Sequence, residues 1–140
     1  MPRFLANAVV EDCLREILHR QEFTLNPRRK HGETGVDILA RRGEMAYSIE
    51  IIGYKGSGPA RAKDFFEGFF RAVSRLNDGA THLVLALSHL AEPGLPGRAK
   101  QHRVGWIRLA EIFPELEIWI VNTDSRTFRP TALRDWAGSR

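Results

Sequence analysis

Val9, Val10, Cys13, Leu14, Ile17 and Leu18 recur at every third or fourth position, with Glu11, Asp12, Arg15 and Glu16 between them. That is the period of a helix with one buried face, so an amphipathic helix is predicted over about residues 7–20, with Asn7 as its N-cap. From Glu22 to Asn26 the pattern alternates, and Pro27 closes it, which predicts a short strand. GVDILARR (35–42) and MAYSIEII (45–52) are rich in β-formers and are separated by Gly43-Glu44, so they read as two arms of a hairpin. After Gly56-Ser57-Gly58 the period becomes helical again. Pro59 sits where helices begin, and Phe65, Phe66, Phe69, Phe70, Val73 and Leu76 mark one face of a long helix that runs to about Asn77 and stops at Asp78-Gly79.

The run THLVLALS (81–88) is almost continuously apolar, as a strand buried on both faces must be. AEPGLPGR (91–98) reads as a Pro/Gly loop, 97–112 as a third helix weakened by Gly105, and LEIWIV (116–121) as another strand. A turn is expected at 123–125 and a short terminal helix at 131–137. The predicted order is αβββαβ followed by αβα, in one domain spanning 1–140. It implies an α/β fold with a mixed central β-sheet flanked by helices, because a helix between two strands generally makes them parallel neighbours.

Composition narrows the function classes. With 43% apolar and 27% charged residues the chain is neither disordered nor fibrous. Single Cys13 excludes an internal disulfide and reads as a reduced, packed thiol. Acidic residues interrupt the N-terminal apolar stretch too early for an export signal, and no apolar run has the length of a membrane span, so a soluble, cytoplasmic protein is expected. The net charge of +4 and the pI near 9.7 suit contact with nucleic acid. The densest basic run, Arg28, Arg29, Lys30 and His31, follows Pro27 in an expected exposed loop. It is a candidate phosphate-contacting segment.

Two carboxylates stand out against this background. Asp37 lies between Val36 and Ile38, and Glu50 is surrounded by Ile49, Ile51 and Ile52, although acidic residues are depleted in strands. A buried carboxylate must pair, bind a metal or take up a proton. On adjacent hairpin arms the two could share one divalent cation or each meet a nearby Arg or Lys. The five histidines show no metal-ligand spacing, and the glycines at 53, 56 and 58 lack the lysine and hydroxyl of a nucleotide-binding loop.

GVD, a short turn and a strand carrying IE, with a helix before and a long helix and an apolar strand after, resemble the PD-(D/E)XK nuclease superfamily, especially its Holliday-junction-resolvase-like and RecB-like branches. The resemblance covers about residues 7–88. It implies a restriction-endonuclease-like core in which Asp37 and Glu50 bind Mg²⁺ or Mn²⁺, with the carbonyl of Ile51 and a first-helix acid, Glu11 ahead of Asp12 and Glu16, as further ligands. It also implies a lysine two residues after the glutamate, and Ile52 stands there instead. Lys55, brought round by a bulge at Gly53, or Lys63 or Arg71 on the following helix would have to supply that charge. The expected function is a nuclease-like domain that binds nucleic acid, DNA above all, either as a metal-dependent phosphodiesterase with a relocated lysine or as a catalytically impaired relative. The alternative is a non-enzymatic interaction module, with a homodimer as one form.

Overall fold

A computed structural model describes residues 3–30 and 32–138, so His31 of the basic run lies outside the described residues. Helix α1 (Asn7–Arg20) buries Val10, Cys13, Leu14, Ile17 and Leu18 of the stripe marked by the periodicity, but Val9 is exposed and Glu11 is buried in its place. Asn7 is not its cap. Ala6 holds that position, and the Asn7 Oδ1 accepts instead from the Gly53 N–H at 2.6 Å. Strand β1 is only Thr24–Leu25. It pairs antiparallel with β2 (Ile38–Arg42), which turns through Gly43, at φ +61°, into antiparallel β3 (Met45–Ile52). Asp37 therefore stands one residue before β2, not within it.

Helix α2 (Gly58–Ser74) starts on Ser57, whose hydroxyl accepts from the Ala60 N–H, and crosses over to β4 (Leu83–Ser88), parallel to β3. All six residues of β4 are buried. The stretch expected as a loop is helical: a 3-10 turn over His89–Gly94 leads into α3 (Leu95–Gln101), and the chain bends at His102 into α4 (Arg103–Ile112). Pro96 falls in the first turn of α3, where its missing N–H costs nothing. Strand β5 (Leu116–Asn122) is parallel to β4. The short terminal helix expected over 131–137 is present as a 3-10 helix over Leu133–Ala137, but it follows a strand that the sequence did not signal, β6 (Thr127–Ala132), antiparallel to β5. The product is a six-stranded mixed open sheet in the order β1-β2-β3-β4-β5-β6, with helices on both faces.

Each face has its own core. Helix α1 covers Ile38, Ala40, Ile49, Ile51, Val84 and Ala86, whereas α2, α3 and α4 cover Ile52, Leu83, Leu85, Leu87, Ile118 and Ile120. The phenylalanine stripe does not point where its spacing suggested. Phe65, Gly68 and Ala72 are the buried positions of α2, while Phe66 is exposed and Phe70 is 71% exposed. The stripe facing the sheet runs through Arg61, Phe65, Gly68, Ala72 and Arg75, at helical spacing, and has an arginine at each end.

Two glycines set close approaches. A Cβ on Gly68 would overlap the Ile52 side chain, and one on Gly53 would overlap the Leu5 carbonyl oxygen and the Asn7 nitrogen. At Gly53 the obstacle is backbone, fixed by a two-hydrogen-bond bridge between Leu5 and Tyr54. Gly53→Ala is therefore expected to lower stability by roughly 2–3 kcal/mol. Urea unfolding measures this, and an unchanged midpoint would mean that the entry to α1 is free to shift.

Candidate functional site

Register brings the two carboxylates together. Ile38 pairs with Ile49, so one further step places Asp37 opposite Glu50, on the face away from α1. Ile51 lies beyond the last rung of that ladder, and its N–H donates to the Asp37 Oδ2 at 2.9 Å. Its carbonyl points to the same edge, because the N–H and C=O of one strand residue project to the same side. The Asp37 carbonyl is held from below by Arg15 Nη2 at 3.0 Å and by Asn26 Nδ2 at 3.4 Å. The Asn26 Oδ1 accepts in turn from the Leu39 N–H at 2.8 Å.

Glu50 is 1% exposed, and its Oε2 has no hydrogen-bond partner among the described residues. Arg71 Nε stands 3.5 Å from its Oε1 and Arg75 Nε 3.8 Å from its Oε2, within ion-pair range but not hydrogen bonded. Burial, reinforced by the negative charge of Asp37, pushes the Glu50 carboxyl up from 4.5 to about 7, against the opposing pull of Arg75, Arg71 and Arg29.

Arg29 is the pivot of the acidic set. Its guanidinium forms an ion pair with the Asp37 Oδ1. The hydrogen bond to Asp37 holds it more strongly protonated than usual, and the charges of Asp37, Glu50 and Glu11 add to that effect against the cost of its burial. Glu11 itself is taken by Arg15 at 2.8 Å and Arg28 at 3.4 Å, and Arg28 also pairs with Asp12. Arg29 thus turns onto Asp37, whereas Arg28 stays at the surface, paired with Glu11 and with exposed Asp12. In Lys30 the backbone N–H donates to the Glu33 carboxylate.

The chain matches no protein-family model, no curated protein and no solved structure.

The residues proposed to replace the lysine are dispersed. Lys55 Nζ pairs with Asp64 at 2.9 Å, and Lys63 is exposed and pairs with Glu67 at 3.5 Å. Gly53 ends β3 against the start of α1, and Tyr54 bridges to Leu5, so Lys55 is directed at α2 and not back toward Glu50. Arg71 alone of the named candidates reaches the pair. Ile52 does share a face with Glu50, as strand parity requires, but it is 5% exposed and packed onto Gly68.

Magnesium or manganese needs at least one or two carboxylate oxygens free to coordinate it, with carbonyls and waters completing the shell. Both Asp37 oxygens are already engaged, Glu50 is flanked by two guanidinium groups, and Glu11 is committed to Arg15 and Arg28. Among the described residues no three His, Cys, Asp or Glu side chains group together as a metal set. As arranged, this donor set does not fit a divalent ion. Sequence reasoning missed Arg15, Arg75 and the role of Arg29; only Arg75 had a local signal, its place at the end of the stripe 61-65-68-72-75.

Proposed function

We propose that this chain is a nucleic-acid-binding domain on a PD-(D/E)XK nuclease-like, restriction-endonuclease-like core, in which the acidic pair survives but metal-dependent cleavage does not. The αβββαβ order supports the core, with its antiparallel hairpin, its crossover helix and its parallel fourth strand. So does the placement of Asp37 opposite Glu50. The observation that carries the reading is Arg29, a guanidinium paired with Asp37 and close enough to feel the charges of Glu50 and Glu11. It supplies in covalent form the positive charge that a metal would bring, yet it cannot ionise or orient a bound water.

Nucleic-acid contact rests on the basic balance of the chain and on Arg71, which is half exposed at the rim of the pair. Binding is expected to weaken steeply with salt, and Arg71→Gln to reduce the salt slope by about one released counterion. Fluorescence titrations of DNA and RNA strands at several salt concentrations measure this. The same strands incubated with Mn²⁺ should stay intact, to the level of an Asp37→Asn control. Cleavage above that control would restore the enzyme reading. No binding to any form would favour the interaction module.

A further inference from the structure

Beyond the carboxyl ends of β3 and β4 lies an open groove of about 730 Å³. Its lining combines three arginines, Arg3, Arg61 and Arg98, with apolar Leu87, Leu90 and Leu95. Among the described residues no Asp or Glu lines it. Arg61 is held in place: its Nη1 donates to the Lys55 carbonyl at 3.0 Å, and its guanidinium lies over the Tyr54 ring at 4.8 Å. Arg98 is steered by Phe65 and Phe66, whose ring centroids are 5.0 and 5.5 Å from its guanidinium. The nearest acid on α2, Asp64, is already paired with Lys55. Burial and the like charge of Arg61 make Arg98 easier to deprotonate than an ordinary arginine.

Two half-buried guanidinium groups that repel each other and have no carboxylate between them form a site preorganised for an anion, because the protein already carries the cost of holding them. The start of α2, at Gly58, opens onto the same groove and adds the positive end of a 17-residue helix. The groove opens at the Arg61 end of α2, whereas Arg71 and Arg75 meet Glu50 at the other end of that helix, and Ile52, two residues after Glu50 on β3, closes the groove on the side toward the acidic pair.

We propose that this groove binds the 5′-phosphomonoester of a nucleotide, with the arginines on the phosphate and the base against the leucines of the lining. This narrows the nucleic-acid reading above, and the phosphate comes either from the end of a strand or from a free mononucleotide. Two paired measurements separate these sources: a single-stranded oligonucleotide with and without its 5′-phosphate, followed by anisotropy, and thymidine 5′-monophosphate against thymidine, followed by calorimetry. The phosphate is expected to tighten binding by about tenfold or more in at least one pair, as charge-assisted contacts to arginine do. Preference in the strand pair alone assigns the strand end, and preference in the monophosphate pair alone assigns the free nucleotide.

Arg98→Gln should erase the preference. Gly94→Glu should do so with all the arginines retained, because position 94 lines the groove, a side chain there meets open space, and its backbone is ordinary helical. Melting curves establish that both variants are folded. Equal binding with and without the phosphate in both pairs, or a preference that survives both substitutions, overturns the proposal. The strand lacking a phosphate reports on nucleic-acid binding alone, so failure of the groove and failure of the broader reading give different results.

Discussion

Replacing Ile52 by lysine will destabilise the fold by about 3–5 kcal/mol and will not restore cleavage, because a charged group would be forced into a buried apolar contact. Ile52 lies in the core beneath α2, with its terminal methyl against the bare backbone of Gly68 and with Leu85 close to the same spot. A lysine there is longer than the gap between helix and strand. It must displace α2, reach toward Glu50, where Arg71 and Arg75 already supply positive charge, or leave its packing on Gly68 to turn into the groove that Ile52 lines. Chemical denaturation of the variant measures the loss. Stability within about 1 kcal/mol of wild type, well below the usual cost of such a burial, would show that the helix has room. Mn²⁺-dependent cleavage by the variant would show in addition that the acidic pair lacks only its lysine.

Glu50→Gln is expected to remove a pH dependence of roughly 3 kcal/mol, since each unit of pKa shift corresponds to about 1.4 kcal/mol. The Glu50 carboxyl rises from 4.5 to about 7 on folding, mainly because it is buried and also because Asp37 is near. Between those values the folded state keeps a proton that the unfolded chain releases. The stabilising contribution is therefore complete below about pH 4.5 and is lost as the pH rises through about 7. Above that the ionised carboxylate must be held with an Oε2 that accepts no hydrogen bond from the described residues. The glutamine variant should gain on wild type from about pH 5 to about pH 7 and level off above that. Urea unfolding across that range gives the difference, and two curves that stay parallel would mean that Glu50 ionises as readily in the fold as in the unfolded chain.

Period and turn chemistry carried most of the architecture. The stripe of α1, the Gly43 turn joining β2 to β3 and the unbroken apolar run of β4 are each local patterns, and each appears in the fold where it was expected. The errors have local causes too. Pro93 and Pro96 read as loop formers, yet prolines fit a 3-10 turn and the first turn of a helix. Thr127–Ala132 has little apolar alternation, because β6 is an edge strand with only Thr131 buried, and only pairing with β5 makes it a strand. Four phenylalanines in six positions outweighed Gly68 and Ala72 as markers of the buried face of α2. Close helix–strand packing selects small residues, so the larger side chains were left outside.

By itself the sequence determined that Asp37 and Glu50 meet. Alternation along two strands joined by a two-residue turn leaves one register that buries Ile38 and Ile49 together, and that register puts the acids opposite each other. What neutralises them was decided only in three dimensions. Arg29 comes from a loop, Arg71 from the end of α2 and Arg75 from just beyond it, and no spacing rule links these positions to residues 37 and 50. The grouping of Arg61 and Arg98 in one groove is of the same kind, since it requires α2 and α3 to pack on the same face of the sheet. Periodicity reports which face a residue occupies. The charge partner of a buried group depends on which distant segment folds against that face, and that is a property of the assembled core.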